Sequence, residues 1–239
     1  MISYKSSYPL RLPAIIIFVL IFSDHSQCQV KWTFEFSGGT ALNLPSDIKI
    51  HQTGFEILHL KKAKFYSEPF TLPPYWDWRI SYTKGKKLFE LEAIHHKLYL
   101  KNMPSEIKRF SISHGFNMFF INYGRVGEAS LLINEKVFKS NVIYRFGLGV
   151  VFAHPETEIR GFSFEDKGEF LNTNYYLSGP AINLGIGKRW YVLKRLFFNT
   201  EIKITSAYVK IPVTLGYAKV FTSSFQFVAG LGFDFISKK

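Results

Sequence analysis

The eight residues from Tyr75 to Tyr82 alternate strictly between two kinds of side chain. In an extended chain, two tryptophans, Ile80 and Tyr82 point to one side, whereas Asp77 and Arg79 point to the other. A soluble barrel would gather the rings inside and aim the charges at water. Because two charges here share the face opposite an aromatic face, the stretch predicts a strand with its rings against lipid and its charges around a polar interior.

The residues after this strand repeat the pattern. Beyond a turn at 83–87, Phe89, Leu91 and Ala93 would lie on the apolar face, and Glu90 and Glu92 on the polar one. In an antiparallel hairpin, Arg79 would then lie opposite Glu90 or Glu92, depending on the register. The two strands together predict a barrel interior that contains ion pairs.

The same alternation continues to the C-terminal strand, and 239 residues suffice for one closed barrel. We predict an all-β fold: an eight-stranded antiparallel up-and-down transmembrane β-barrel. It would have short periplasmic turns and longer outer loops, and would occupy residues 29–239. The predicted strands are 55–66, 75–82, 88–98, 109–121, 141–153, 179–190, 197–207 and 225–235. The abundance of Phe (25) and Tyr (13) suits a lipid-facing surface banded by aromatic rings.

Connection lengths indicate the direction of each strand. The connections 83–87 and 191–195 are short and predict periplasmic turns, whereas 154–178 and 208–224 are long and predict outer loops. This parity requires a further strand before Tyr75, and we assign it to 55–66. The alternating run Trp32–Phe36 would end at Gly38-Gly39. It would therefore extend the first strand beyond a bend or form a periplasmic segment. The connection 122–140 would be a long periplasmic segment that contains a small helix or hairpin.

The N-terminal residues 1–28 predict a secretory signal peptide. Lys5 and Arg11 precede an apolar run from Leu12 to Phe22, about 11 residues long, which is too short for a membrane-spanning helix. We expect cleavage after Cys28. The alternative is lipid attachment to this cysteine, but Ser26 and Gln27 match the consensus sequence of lipoprotein signal peptides poorly. A cleaved chain would contain no cysteine, which excludes disulfides, thiolate metal sites and cysteine nucleophiles.

The formal net charge is +12, of which the signal segment contributes only +1. The basic residues do not form runs interleaved with aromatics, so we expect no nucleic acid partner. In an exported protein, lipid phosphates and the anionic head groups of glycolipids are the expected partners of Lys and Arg at strand ends. The alternative is that scattered lysines only keep the turns soluble.

The signal segment, the two-residue alternation and the aromatic strand Phe225–Phe235 resemble the small outer-membrane β-barrel proteins of Gram-negative bacteria. The resemblance covers residues 30–235 at the level of pattern. It implies the cell outer membrane as the location, with outer-membrane lipids, lipopolysaccharide and the barrel-assembly machinery as partners. One departure is that residues 236–239 follow the final Phe235, whereas a terminal strand of this family ends in Phe.

Some small outer-membrane barrels hydrolyse acyl chains of lipid A with a Ser, a His and a carboxylate on adjacent strands near the outer rim. The resemblance therefore implies Ser113, His114, Glu92 and His96 as candidate catalytic residues. Strict alternation places Ser113 and His114 on opposite faces of one strand, so a one-residue bulge would be needed to bring them together.

No cofactor or metal is expected. A metal site made of His95, His96 and His114 with Glu92 would require two adjacent strand residues to reach one ion, although they point to opposite faces. Eight strands leave no room for an open channel, so the inward charges would fill a narrow interior. These predicted inward charges are Asp77, Arg79, Glu90, Glu92, Arg145, Glu201 and Lys203.

The sequence predicts a non-enzymatic outer-membrane protein of the cell envelope whose outer loops contact lipopolysaccharide or a surface partner. The first alternative is a lipid A acyl hydrolase, and the second is a soluble, lipocalin-like ligand binder in the periplasm. The oligomeric state is not predicted.

Overall fold

A computed structural model of the chain describes residues 30–133, 136–165 and 175–238. The predicted signal peptide, 1–28, lies outside these residues. No helix in the described part of the chain is long and apolar enough to cross a membrane. The strands are β1 (Val30–Asn43), β2 (Ser46–Gln52), β3 (Leu58–Ala63), β4 (Phe65–Tyr66), β5 (Trp76–Lys84), β6 (Lys87–Leu100), β7 (Ile107–Ile133), β8 (Lys136–Ala153), β9 (Glu156–Ile159), β10 (Phe162–Phe164), β11 (Tyr176–Tyr191), β12 (Leu196–Val213) and β13 (Gly216–Lys238).

Eight of these strands close into a ring in the order β1-β5-β6-β7-β8-β11-β12-β13. All neighbours are antiparallel, and β1 closes the ring because it pairs with β5 on one side and β13 on the other. Val30 lies opposite both Lys84 and Lys238. The start of β1 and the end of β13 therefore lie on the side of the barrel that carries the short turns. The predicted eight-stranded antiparallel barrel is confirmed.

The first strand of the ring is Val30–Asn43, so its prediction at 55–66 is wrong. Residues 55–66 instead contain β3 and β4, which lie beyond the ring. The glycines that were expected to end the Trp32–Phe36 run are part of the strand. A Cβ atom on Gly39 would lie 2.5 Å from the carbonyl oxygen of Phe227, so this glycine permits close packing within the sheet.

Two predicted connections are largely strand. The expected outer loop 208–224 is the end of a hairpin, in which β12 and β13 are joined by residues 214–215 alone. The expected segment 122–140 belongs to β7 and β8, which pair as far as Ile133 and Lys136. The two hairpins extend past the ring at opposite ends of the barrel. The distance in sequence between two predicted strands does not distinguish such an extended hairpin from a loop.

The barrel has an apolar outside and a polar middle, as predicted. Phe34 is 42% exposed and Leu148 is 58% exposed on the outer face, whereas Arg79 is 2% exposed inside. The exposed outer residues include Phe36, Leu91, Ile121, Tyr144, Phe146, Leu184, Ile202, Phe227, Leu231 and Phe233. An open band of large apolar side chains of this kind needs a lipid surface to cover it. The alternative of a soluble, lipocalin-like binder required these rings to line a central cavity, whereas they lie on the outer face.

Short strands extend the barrel past the ring at the end opposite the short turns. There β2 pairs with β13, β4 pairs with β6, and β9 pairs with β7. The inward residues of this extension are apolar and form one core cluster, which includes Ile48, Ile50, Leu98, Leu100, Phe110, Ile112, Ile159, Val209, Ile211 and Val220. The extension therefore closes one end of the barrel with a packed hydrophobic core.

Candidate functional site

The middle of the barrel contains a network of buried ion pairs around Arg79. Its guanidinium donates hydrogen bonds to Glu35 and Glu201, each at 2.9 Å, and also to Glu92. The hairpin register places Arg79 opposite Glu92, which decides between the two predicted partners, although Glu90 also lies 3.7 Å from the guanidinium. Asp77 lies 3.8 Å away, so five carboxylates surround one cation.

Further cations balance these carboxylates. Arg145 donates to Glu90 at 2.8 Å, Arg189 donates to Glu35, and the Lys203 ammonium donates to Asp77. Buried charges of this kind are tolerated when they are paired and hydrogen-bonded. All the residues predicted to point inward as charges are buried, namely Asp77, Arg79, Glu90, Glu92, Arg145, Glu201 and Lys203.

Glycines on the inner face fit this network closely. A Cβ atom on Gly147 would lie 1.9 Å from the Asn122 side-chain oxygen, and one on Gly185 would lie 2.2 Å from Glu201 Oε1. The side chains of neighbouring strands already occupy that space. The network therefore fills the interior, in agreement with its prediction as a structural feature of a narrow barrel.

Two of the four candidate catalytic residues lie inside the barrel. The Glu92 carboxylate accepts hydrogen bonds from Asn122 at 2.6 Å and from Asn183 at 2.7 Å, in addition to those from Arg79 and Lys203. His96 Nε2 lies 3.0 Å from the Asn43 side-chain oxygen, and its ring is buried. These partners assign both residues to the packed interior.

The other two, Ser113 and His114, lie at the rim, where the irregularity in β7 is larger than the one-residue bulge that was expected. His96 lies opposite Phe116 and Leu98 lies opposite Ile112, so residues 113–115 of β7 correspond to Lys97 alone in β6, which is two extra residues. Ser113 Oγ is then 3.1 Å from His114 Nδ1. Gly115 adopts a φ of 153°, at the edge of the region that favours glycine.

The carboxylate at this rim is Glu156, which the sequence analysis did not single out. Glu156 Oε1 lies 2.7 Å from His114 Nδ1, and Arg109 donates to the other carboxylate oxygen. His154 lies beside them, with its ring centroid 5.1 Å from that of His114. The sequence signal was the string His154-Pro155-Glu156, which ends a strand and looked like the start of a loop.

Glu156 and His154 have shifted pKa values with identifiable causes. Burial opposes ionisation of Glu156, but a hydrogen bond from Ser113 and the charge of Arg109 outweigh it, so the pKa of this carboxyl lies below its usual value. Burial lowers the pKa of His154, and the neighbouring His114 lowers it further. We call Ser113, His114, His154 and Glu156 the rim cluster.

A row of basic side chains crosses four strands of the extension. The registers place Lys210 opposite Lys219, Lys219 opposite Lys49, and Lys49 opposite His59. Neighbouring strands are about 4.8 Å apart, so the row is about 14 Å long. We call these four residues the cationic row.

The surroundings of the cationic row are aromatic and contain little negative charge. Lys210 Nζ lies 4.1 Å and Lys219 Nζ 5.6 Å from the centre of the Tyr217 ring. Asp47 lies 3.4 Å from His59, whereas no ion pair within the described ranges joins the three lysines to a carboxylate. Like charges directly opposite each other in a sheet reduce its stability, so the row has an energetic cost in the free protein.

Known proteins resemble the chain in structure only. No protein-family model matches the sequence, and no curated protein matches it. The solid-state NMR structure of the outer membrane protein AlkL is 12% identical, with 97% of each chain covered and a TM-score of 0.45. Outer membrane protein OprG of Pseudomonas aeruginosa is 14% identical, with 87% of this chain and 96% of that chain covered and a TM-score of 0.37.

Neisserial surface protein A is 13% identical, with 85% of this chain and 97% of that chain covered and a TM-score of 0.36. At such identities the likeness concerns the fold alone. The ring order and the apolar outer face are established by the chain's own hydrogen bonding and burial. The predicted resemblance is therefore confirmed at the level of architecture, and the chain has the fold of an eight-stranded outer-membrane β-barrel.

Proposed function

We propose that the chain is a non-enzymatic integral protein of the bacterial outer membrane whose extension binds the anionic head groups of lipopolysaccharide. The observation that carries this proposal is the cationic row. It supplies three lysines and a histidine on one exposed face, at intervals set by strand spacing. Phosphate and carboxylate groups of a glycolipid are the complementary ligand.

The height of the row on the barrel supports a lipid head group as the ligand. Tyr208 and Phe221 pair one outward position below Lys210 and Lys219, and each is 50% exposed. Aromatic side chains mark the edge of the apolar band in membrane barrels. The lysines therefore lie just beyond this edge, where head-group phosphates would be found.

We expect the double variant Lys49→Glu/Lys219→Glu to lose most of its binding to lipopolysaccharide. The variant replaces two central cations of the row with carboxylates, which repel phosphate. The purified barrel would be titrated with lipopolysaccharide vesicles and with neutral phosphatidylcholine vesicles at low salt, because salt screens such contacts.

The matched control is Lys84→Glu/Lys194→Glu, which makes the same charge change at the end of the barrel with the short turns. The control should bind lipopolysaccharide as the wild type does. Equal binding by both double variants, whether reduced or not, would contradict a specific role for the row.

The second candidate function is lipid A acyl hydrolysis, which the contact between Ser113 and His114 favours. However, Ser113 and Glu156 both approach Nδ1 of His114, whereas a Ser-His-acid mechanism uses both ring nitrogens. Lipid A mass spectra from strains with the wild type, with Ser113→Ala and without the protein would separate the two functions. Loss of an acyl chain in the wild-type strain alone would favour the hydrolase, and identical spectra would reject it.

A further inference from the structure

Two imidazoles and one carboxylate of the rim cluster converge at one point on the outer rim. One ligand atom from each of His114, His154 and Glu156 lies within 4.8 Å of the other two. They come from two segments: the irregular part of β7, and the string His154-Pro155-Glu156 that joins β8 to β9. The pairing of β7 with both β8 and β9 holds these two segments together.

We propose that His114, His154 and Glu156 bind a divalent first-row transition metal ion, with Zn²⁺ as the expected ion. Two histidines and a carboxylate are a ligand set that zinc uses when one coordination position stays open. Ligand atoms around tetrahedral zinc are about 3.4 Å apart. Side-chain rotations of the exposed His114 and the half-buried His154 can close the remaining difference.

The surroundings of the three ligands meet the requirements of such a site. The carboxylate of Glu156 is oriented from behind, because Arg109 bonds to Oε2 and leaves Oε1 directed at His114. Arg109 also donates to Glu165 at 2.6 Å, so the positive charge of its guanidinium is shared between two carboxylates. Partners that orient a ligand from outside the coordination sphere raise metal affinity.

The backbone of the site is also anchored. Tyr175 donates from its hydroxyl to the carbonyl of His114 at 2.8 Å, and the amide of His154 donates to the carbonyl of Gly115 at 3.1 Å. The side chain of His114 is 59% exposed, so an ion bound there would keep an open position toward the outside. The site shares no residue with the cationic row and does not depend on lipopolysaccharide binding.

The test is metal titration of the untagged, refolded full chain in detergent after removal of metal. We expect one Zn²⁺ per chain by calorimetry, and one Co²⁺ with the strong visible absorption of four-coordinate geometry. His154→Ala and Glu156→Gln should each weaken Zn²⁺ binding at least about tenfold. Heat-modifiable gel mobility would verify that each variant is folded.

The matched control is His59→Ala. His59 also contacts a carboxylate, Asp47, at 3.4 Å, but no second histidine is grouped with that pair among the described residues. The control should leave Zn²⁺ affinity and the Co²⁺ spectrum unchanged. Wild-type affinity in the double variant His114→Asn/His154→Asn, or an equal loss in the control, would overturn the proposal.

Discussion

Replacing Arg79 with alanine is expected to lower the free energy of unfolding by about 3–5 kcal/mol, because it leaves buried carboxylates without their cation. Arg79 donates to Glu35, Glu92 and Glu201, and its side chain is 2% exposed. Water cannot replace these bonds in a filled interior. Urea unfolding of the barrel in lipid vesicles, followed by gel mobility, would measure the loss.

The control for this variant is Arg195→Ala, which removes the same side chain from an exposed position in a short turn. A change of at most about 0.5 kcal/mol is expected there. The double variant Arg79→Met/Glu92→Gln should recover part of the loss, because it removes one of the uncompensated charges and retains side-chain volume. An unfolding free energy for Arg79→Ala close to that of the control would contradict the ion-pair network.

The second large effect is expected on the outer face, where Leu148→Arg should cost about 2–4 kcal/mol in a lipid bilayer. Leu148 lies between outward-facing Tyr144 and Phe152, near the middle of the apolar band. An arginine there would have to leave the hydrocarbon or distort it. The same unfolding measurement in vesicles applies.

The control Leu193→Arg places the same charge at an exposed leucine outside the apolar band. It therefore distinguishes the cost of a charge in lipid from the cost of replacing any exposed leucine. Leu193 is 64% exposed and Leu148 is 58% exposed, so the two leucines are equally accessible on the isolated protein. Leu193 lies in the short turn between β11 and β12, where a cost of about 0–1 kcal/mol is expected. Equal and small costs at both positions would mean that water, not lipid, covers the outer face.

The parts of the fold that follow from local alternation could be predicted from the sequence. The inward set of charges around Arg79 and the outward set of rings are both confirmed, because each depends only on the two-residue period of a strand. The first strand could not be assigned in this way. Gly38-Gly39 looked like a break, and only the close packing of Gly39 against Phe227 explains why glycine belongs there.

The rim cluster depends on contacts between residues that are distant in sequence. Ser113 and His114 lie in an irregular part of β7 that has two extra residues opposite β6, and the two-residue alternation predicts neither its position nor its size. Glu156 and His154 lie about 40 residues further along the chain, and the pairing of β7 with β8 and β9 brings them close. The same reason accounts for the cationic row, whose members come from four strands.

The most direct test of the membrane-spanning barrel is the lipid exposure of the rings and leucines on the outer face. A nitroxide label would be attached to the new cysteine of Leu148→Cys or of Leu193→Cys. Both variants would carry Cys28→Ser, since Cys28 is the chain's one cysteine and would otherwise be labelled too. Collisions with oxygen and with a water-soluble nickel complex would then be compared in vesicles. We predict that oxygen dominates at position 148 and the nickel complex at position 193. A nickel complex that reaches both labels equally would contradict a lipid-covered outer face.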